Sequence, residues 1–274
     1  MTRRAILLGL LWGLLGLTCQ AGEPTPLRFG SVAMDVPAVM HRRLTPLTQY
    51  LSQELGRPVT LVLAKDMPQA IQDIAEGKVD IAYLTPVAYI QSHKRGQTRL
   101  VAKTITDGAA SFRLMIVVRA DSPIRNVADL TGRRFAFGDH AAILQRAVVT
   151  GAGVQLDKLA SYDFLGHYDN IVRAVMRGEY DAGILKDTMA YKWRDKGIRI
   201  LYSSEALPPY NITASKNIDD ALLAKLQAVF LKLDQRDSEH LRIIKTLDKN
   251  YDGFAATSDQ DYDVVRKLIA PFNP

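Results

Sequence analysis

Hydrophobic and polar positions alternate with two different periods from the first polar stretch onward. Leu27 to Val32 and Val59 to Leu63 are short, β-rich apolar runs, and Val39 to Leu55 between them has apolar residues at helical spacing. Gly56 and then Pro58 close that helix and open the next strand. Apolar strands joined by amphipathic helices are typical of parallel βαβ units, so the pattern predicts an α/β protein.

Two distant segments share one pattern. In each of them, residues 71–83 and 171–183, a helix is closed by a glycine, Gly77 or Gly178. One charged and one apolar residue follow, then an aspartate, Asp80 or Asp181, and then a short strand. The repeated unit favours two similar α/β lobes, although helix-turn-strand units are common in α/β proteins. We expect both aspartates to be structural.

Two places along the chain suit a passage between the lobes. The run Phe112 to Arg119 is long for a strand, and an extended stretch around Pro208 to Ala214 follows a predicted strand at Ile198 to Tyr202. Two such passages predict a two-strand hinge. We therefore assign residues 22–117 and 207–274 to lobe one and 118–206 to lobe two. Helices predicted over Ala221 to Leu233 and over Glu239 to Leu247 should pack on lobe one.

The N-terminus resembles an export signal. Two arginines lead into an apolar run at 5–17, which is long enough for a signal peptide and too short to cross a bilayer. Small residues precede Gly22, so we expect cleavage after Ala21 and a mature chain in the periplasm. A retained membrane anchor and a lipid anchor on Cys19 remain alternatives.

Composition narrows the possible chemistry. Cys19 is the only cysteine, and its loss with the signal would leave no thiol, disulfide or thiolate metal site. The formal net charge is +6, with Lys and Arg spread along the chain, and no nucleic-acid-binding motif is present. No nucleophile elbow, phosphate loop or dinucleotide fingerprint is present either. We therefore expect a monomeric binding protein, not an enzyme, with no cofactor, no metal and no nucleic-acid partner.

Several short motifs, in their order and spacing over nearly the whole mature chain, resemble the periplasmic phosphate, phosphite and phosphonate substrate-binding proteins of ABC transporters. They are Leu27–Gly30, Leu47–Gly56 with Pro58–Val59, Gly77–Asp80 leading to Tyr83–Pro86 and Tyr89, Val127–Gly132, Gly178–Gly183 and Asp261–Tyr262. The resemblance implies a type II periplasmic binding protein: two α/β lobes joined by a two-strand hinge, with ligand held in a central cleft. It also implies an inner-membrane transporter as partner.

One stretch departs from that family. Its members usually carry a Ser-Thr-Ser-Gly type sequence at a helix start in lobe two, where hydroxyl and backbone N–H groups hold an oxyanion. Here Phe137 to Leu144 reads FGDHAAIL, without that hydroxyl clamp. We therefore predict a bulkier, partly apolar ligand that is lipid or sterol-like. The sequence is also similar to bacterial sterol-transport binding proteins, which resemble this family and handle a lipid, and the partner would then be an export complex. The alternatives are a phosphonate- or phosphate-type oxyanion for an ABC transporter, and a ligand-sensing adaptor for a membrane partner.

Ligands in open α/β sheets bind beyond the carboxyl ends of the strands, which nominates the loops that follow them. The expected ligand-binding residues are Met34, Asp35, Tyr83, Thr85 and Tyr89 in lobe one and Asp139, His140, Ile143, His167 and Lys186 in lobe two. Tyr89 and His167 also stand where the resemblance implies a ligand contact. Packing of the lobe is the alternative role for Tyr89, and helix N-capping is the alternative for Asp139 and the stronger interpretation for Asp169.

Overall fold

The structure is a computed structural model that describes residues 25–31, 36–140 and 142–272. The predicted signal segment, Met34 and Asp35 lie outside the described residues. The strands are β1 Leu27–Ser31, β2 Val59–Leu63, β3 Ile81–Leu84, β4 Arg99–Thr106, β5 Leu114–Arg119, β6 Arg134–Phe137, β7 Ser161–Phe164, β8 Ala182–Lys186, β9 Ile198–Ser203, β10 Asn211–Ala214 and β11 Tyr251–Ala255. The helices are α1 Pro37–Leu55, α2 Met67–Ala75, α3 Pro86–Gly96, α4 Ile143–Gly151, α5 Tyr168–Met176, α6 Asp187–Trp193, α7 Asp220–Lys232, α8 Ser238–Leu247 and α9 Asp263–Ile269.

Lobe one is built on a six-stranded sheet in the order β11-β4-β10-β3-β1-β2. Strand β1 lies parallel to both β2 and β3, and β10 runs antiparallel between β3 and β4. Fully buried Phe29, Leu47 and Phe230 belong to a core shared by the sheet with α1, α7 and α8. A smaller core around Ile74 packs α2 and α3 on the sheet. The prediction that the two late helices pack on lobe one is confirmed.

Lobe two is built on a five-stranded sheet in the order β7-β6-β8-β5-β9. Strand β6 is parallel to β7 and β8, while β5 is antiparallel to β8 and β9. One core contains Phe135, Phe137 and residues of α4, and the other contains Ile171, Val175 and residues of α5. Each lobe is therefore a sheet between helical layers, as the strand-helix alternation predicts.

The chain passes from lobe one to lobe two between β4 and β5, and it returns between β9 and β10. The two connections pair where they run side by side: the Phe112 N–H donates to the Leu207 carbonyl at 2.9 Å, and the Leu207 N–H donates to the Phe112 carbonyl at 2.8 Å. The connections directly precede most of the predicted runs, which form β5 and β10 themselves, and the paired segments form the predicted two-strand hinge.

A further passage follows β11. Helix α9 packs against α4 of lobe two and also contacts α3 of lobe one. Val265 and Ile269 of α9 are buried in the lobe-two core that contains Phe137. The lobe boundaries at residues 117/118 and 206/207 stay a prediction, and the contacts show only that the last helix touches both halves.

The repeated sequence unit corresponds to a repeated hydrogen-bonding unit, here called the arginine clamp. In lobe one, the Arg28 N–H and guanidinium donate to the Asp80 carboxylate at 2.8 and 3.0 Å, and the guanidinium also reaches the Gly77 carbonyl at 2.8 Å. In lobe two, Arg134 makes the equivalent bonds to Asp181 and to the Gly178 carbonyl. Both glycines have φ of +73°, a conformation that favours glycine. The expectation of structural aspartates is confirmed.

Replacing either clamp aspartate with alanine should lower the free energy of unfolding by about 1 kcal/mol, because each removal leaves a strand N–H without its acceptor and the arginine without its carboxylate partner. Urea unfolding of D80A and D181A measures this effect. D121A is the matched control, since Asp121 is well exposed and its ion pair is with Arg119, two residues away. Equal stability of all three variants would show that the clamps contribute nothing.

Candidate functional site

The carboxyl ends of the parallel strands in each lobe define the candidate site. In lobe one these ends are at Ser31, Leu63 and Leu84, and the chain enters β10 beside Leu84 at Tyr210. In lobe two the corresponding ends are at Phe137, Phe164 and Lys186. Ligands of open α/β sheets bind at such ends, so these loops are the walls that a guest would meet.

Three tyrosines lie together near this end of the lobe-one sheet and are here called the tyrosine cluster: the buried Tyr83 and Tyr251 and the half-buried Tyr210. The Tyr83 and Tyr210 rings stack with centroids 5.2 Å apart, and the Tyr83 and Tyr251 hydroxyls are 2.5 Å apart. Burial raises the pKa of Tyr83 well above its usual value and also raises that of Tyr210. These hydroxyls therefore stay neutral near pH 7, and neutral phenols can donate hydrogen bonds.

A buried glutamine organises the wall of lobe two. Gln145 of α4 is 6% exposed; its Oε1 accepts the Gly138 N–H at 2.8 Å, and its Nε2 donates to the Tyr168 hydroxyl at 3.4 Å. A Cβ at position 138 would lie 2.8 Å from Gln145 Nε2, so a larger residue there would displace the Gln145 amide from its hydrogen bonds. Burial raises the pKa of Tyr168 to about 12, and the bond from Gln145 opposes that shift.

The two walls are close enough to influence each other electrostatically. Tyr210 of lobe one contributes to the raised pKa of Tyr168 in lobe two, after burial and the Gln145 bond. Asp139 of lobe two acts on Tyr210 in the same direction, while Arg43 acts against it. Tyr210, Tyr168 and Asp139 therefore lie near the junction of the two lobes.

Two helices of lobe two begin at this cleft without a side-chain cap. Helix α4 follows Ala142 and α5 follows His167, and neither residue makes a capping side-chain bond. The first N–H groups of a helix point out of its end and carry partial positive charge. Such ends are suited to hold the oxygens of an anion.

The three described ligand-binding candidates of lobe one make different contacts. Tyr83 belongs to the tyrosine cluster, whereas the Thr85 hydroxyl accepts the Ala88 N–H at 3.1 Å and caps α3. Tyr89 is 1% exposed, packs on Tyr262 and donates its hydroxyl to Asp259 at 2.5 Å. These contacts show Tyr89 packing the lobe; its ligand role stays a prediction.

The lobe-two nominees lie along the edge of the second sheet. Asp139 and His140 are exposed in the loop after β6, and Ile143 is half-buried at the start of α4. His167 is exposed directly before α5, and Lys186 Nζ lies 5.4 Å from the centre of the Phe112 ring. Their contacts with a ligand stay predictions.

Both capping hypotheses are wrong. Helix α4 begins at Ile143 with Ala142 at its N-cap, so Asp139 lies three residues too early, although its carbonyl accepts the Ala142 N–H at 3.0 Å. Helix α5 begins at Tyr168, which places Asp169 inside its first turn and not at the cap. An aspartate in the first turn still interacts favourably with the helix dipole.

Sequence reasoning missed Gln145, Tyr168 and Tyr210. Gln145 is the one polar residue among the buried positions of α4, and that departure from an apolar face was the available signal. Tyr210 falls inside the predicted return crossing, and Tyr168 directly follows a nominated histidine. Their approach to each other across the cleft depends on tertiary structure.

A cavity of about 400 Å³ lies elsewhere, between α4, α9 and the end of β9, with Thr150, Tyr202 and Lys267 in its lining. Because it contains none of the nominated residues, it does not locate the cleft site.

The histidines and aspartates of the cleft do not form a metal cluster, since no group of three such ligands occurs within residues 25–31, 36–140 and 142–272. In the same part of the chain, no helix has the length and apolar character of a membrane span.

Comparisons with known proteins agree with this architecture. The chain is 23% identical to the phosphate-import protein PhnD of Mycolicibacterium smegmatis, over 92% of its own length and 87% of that protein. It is 24% identical to the phosphonates-binding periplasmic protein of Escherichia coli K12, over 88% of its own length and 75% of that protein.

A solved structure shows the same fold. PhnD1 of Prochlorococcus marinus in complex with methylphosphonate superposes with a TM-score of 0.70 at 18% identity, covering 90% of this chain and 98% of that one. The predicted type II periplasmic binding fold is therefore confirmed. The family model described as "ABC transporter, phosphonate, periplasmic substrate-binding protein" matches residues 29–262. The chain belongs to this family of periplasmic substrate-binding proteins.

Proposed function

We propose that the protein is exported to the periplasm, captures a phosphonate- or phosphate-type oxyanion between its lobes and delivers it, chemically unchanged, to an ABC permease in the inner membrane. The family match over residues 29–262 carries this proposal. The ligands named for its relatives, phosphate, phosphonates and methylphosphonate, share one oxyanion chemistry.

The described cleft offers donors suited to such a ligand, even without the family's hydroxyl clamp. The uncapped starts of α4 and α5 present backbone N–H groups, and the raised pKa values of Tyr168 and Tyr210 keep their hydroxyls protonated. The earlier hypothesis of a lipid or sterol-like ligand rested on the missing clamp alone, and no comparison favours it. The oxyanion alternative is therefore the better interpretation.

Isothermal titration with methylphosphonate, inorganic phosphate and a sterol-like lipid tests the proposal. We expect dissociation constants on the order of 1 μM or lower for at least one oxyanion, equivalent to about −8 kcal/mol. Ligand at about 100 times its dissociation constant should also raise the free energy of unfolding by about 2.7 kcal/mol, visible as a higher melting temperature. Lipid binding without any response to either oxyanion would refute the proposal and restore the lipid hypothesis.

A further inference from the structure

Arg146, the fourth residue of α4, is a cation without a counter-ion. It takes part in no ion pair within the described residues. Its Nη2 donates to the His140 carbonyl at a long 3.4 Å, and its Nε is buried without a hydrogen-bond partner. A partly buried guanidinium with so few acceptors is unfavourable, because its lost hydration is not replaced.

Aromatic contacts hold this guanidinium in place. Its Cζ lies 5.7 Å from the centre of the Phe164 ring, within the range of a cation–π interaction. The His140 ring meets the same Phe164 ring edge-on, with centroids 4.7 Å apart. Arg146 and His140 are thus gathered around one aromatic ring, and we call these three residues the Arg146 pocket.

The Arg146 pocket lies at the cleft-facing edge of lobe two. Phe164 is the last residue of β7, and His140 belongs to the loop between β6 and α4. His140 is exposed and Arg146 and Phe164 are half-buried, so solvent reaches the pocket. The Gly166 N–H donates to the Gly138 carbonyl at 2.9 Å, so the loop that follows Phe164 lies beside the loop that carries His140. Both loops follow the carboxyl ends of parallel strands, where ligands of open α/β sheets bind.

We propose that the Arg146 pocket is an oxyanion-binding site in which the guanidinium donates two hydrogen bonds to a phosphonate or phosphate group and His140 closes its outer side. The inference rests on the proposed function and adds the residues that take the place of the missing hydroxyl clamp. A guanidinium fork matches two oxygens of a phosphonate, which supplies the acceptors that Arg146 lacks.

Titration of methylphosphonate into R146Q tests the site. The variant should bind at least about tenfold more weakly than the native chain. The native affinity should fall with rising salt more steeply than that of R146Q, because one charge–charge interaction is lost in the variant. R173Q is the matched control. Arg173 is an exposed arginine of α5 whose side chain donates to Asn170 Oδ1 at 2.8 Å, and its replacement should leave affinity and salt dependence unchanged.

A second measurement keeps the test independent of the folding of R146Q. The Nε–H resonance of Arg146, assigned by its disappearance in R146K, should shift when methylphosphonate is added and stay fixed with sodium chloride alone. An unmoved resonance, or R146Q binding within about twofold of the native chain, would overturn the Arg146 site. If the native chain binds neither methylphosphonate nor inorganic phosphate, the proposed function itself fails. If the native chain binds methylphosphonate and neither measurement changes at Arg146, the Arg146 site is refuted and the proposed function stands.

Discussion

Replacing Tyr210 with alanine is expected to weaken methylphosphonate binding by about 30-fold or more, since truncation of a central aromatic contact costs about 2 kcal/mol or more. Tyr210 directly precedes β10 at the return connection between the lobes and stacks on Tyr83. Its loss would remove both aromatic contact area and a neutral hydroxyl donor from the proposed binding site. Isothermal titration against the native chain measures the effect.

Two further variants separate the possible causes. Y210F keeps the ring and removes the hydroxyl, so its affinity should fall between those of the native chain and Y210A. Y191A makes the same truncation at Tyr191, which is 52% exposed on α6, and should bind like the native chain. Native affinity in Y210A would show that the tyrosine cluster does not touch the ligand.

Replacing Gly96 with alanine should lower the free energy of unfolding by about 3 kcal/mol, although helix propensity alone would favour alanine by about 1 kcal/mol. Gly96 is the buried last residue of α3, where that helix packs against α2. A Cβ there would lie 2.1 Å from the Ala75 carbonyl oxygen and 2.6 Å from the Ala75 Cα. Because both atoms are backbone, relief requires the two helices to move apart.

Gly151, the last residue of α4, provides the matched control. A Cβ at this position would meet only the Leu268 Cδ2, at 2.8 Å, and a side-chain end can turn away. Urea unfolding should therefore show G151A within about 1 kcal/mol of the native chain and G96A far below it. Similar stabilities for both variants would mean that α2 and α3 are less tightly packed than the structure shows.

The sequence predicted most of the fold because hydrophobic periodicity and the glycine and proline residues that end helices are local features. The bounds of β2 match their predicted range, and the late helices begin within one residue of theirs. The repeated glycine and aspartate predicted two matching lobes. In each lobe the glycine provides the left-handed turn and the aspartate accepts the bonds of the arginine clamp. Helix starts were less predictable: α4 and α5 begin without the side-chain caps that Asp139 and Asp169 suggested.

The candidate site was harder to predict than the fold. Tyr83 was found by its place after a strand, but Gln145 and Tyr168 touch each other only because α4 and α5 start side by side. The ligand class was misjudged because a missing hydroxyl sequence says nothing about donors on other segments. Arg146 looks from its sequence like any solvated cation, and only the Phe164 and His140 contacts distinguish it.

The position of β10 has a consequence for how the chain acquires its structure. All strands of the lobe-two sheet come from one continuous stretch, residues 114–203, whereas β10 lies in the middle of the other sheet and comes from residues 211–214. Without β10, no strand joins β3 to β4. During synthesis from the N-terminus, the lobe-two sheet can therefore complete its pairing first, while the lobe-one sheet must wait for a strand that follows β4 by about a hundred residues.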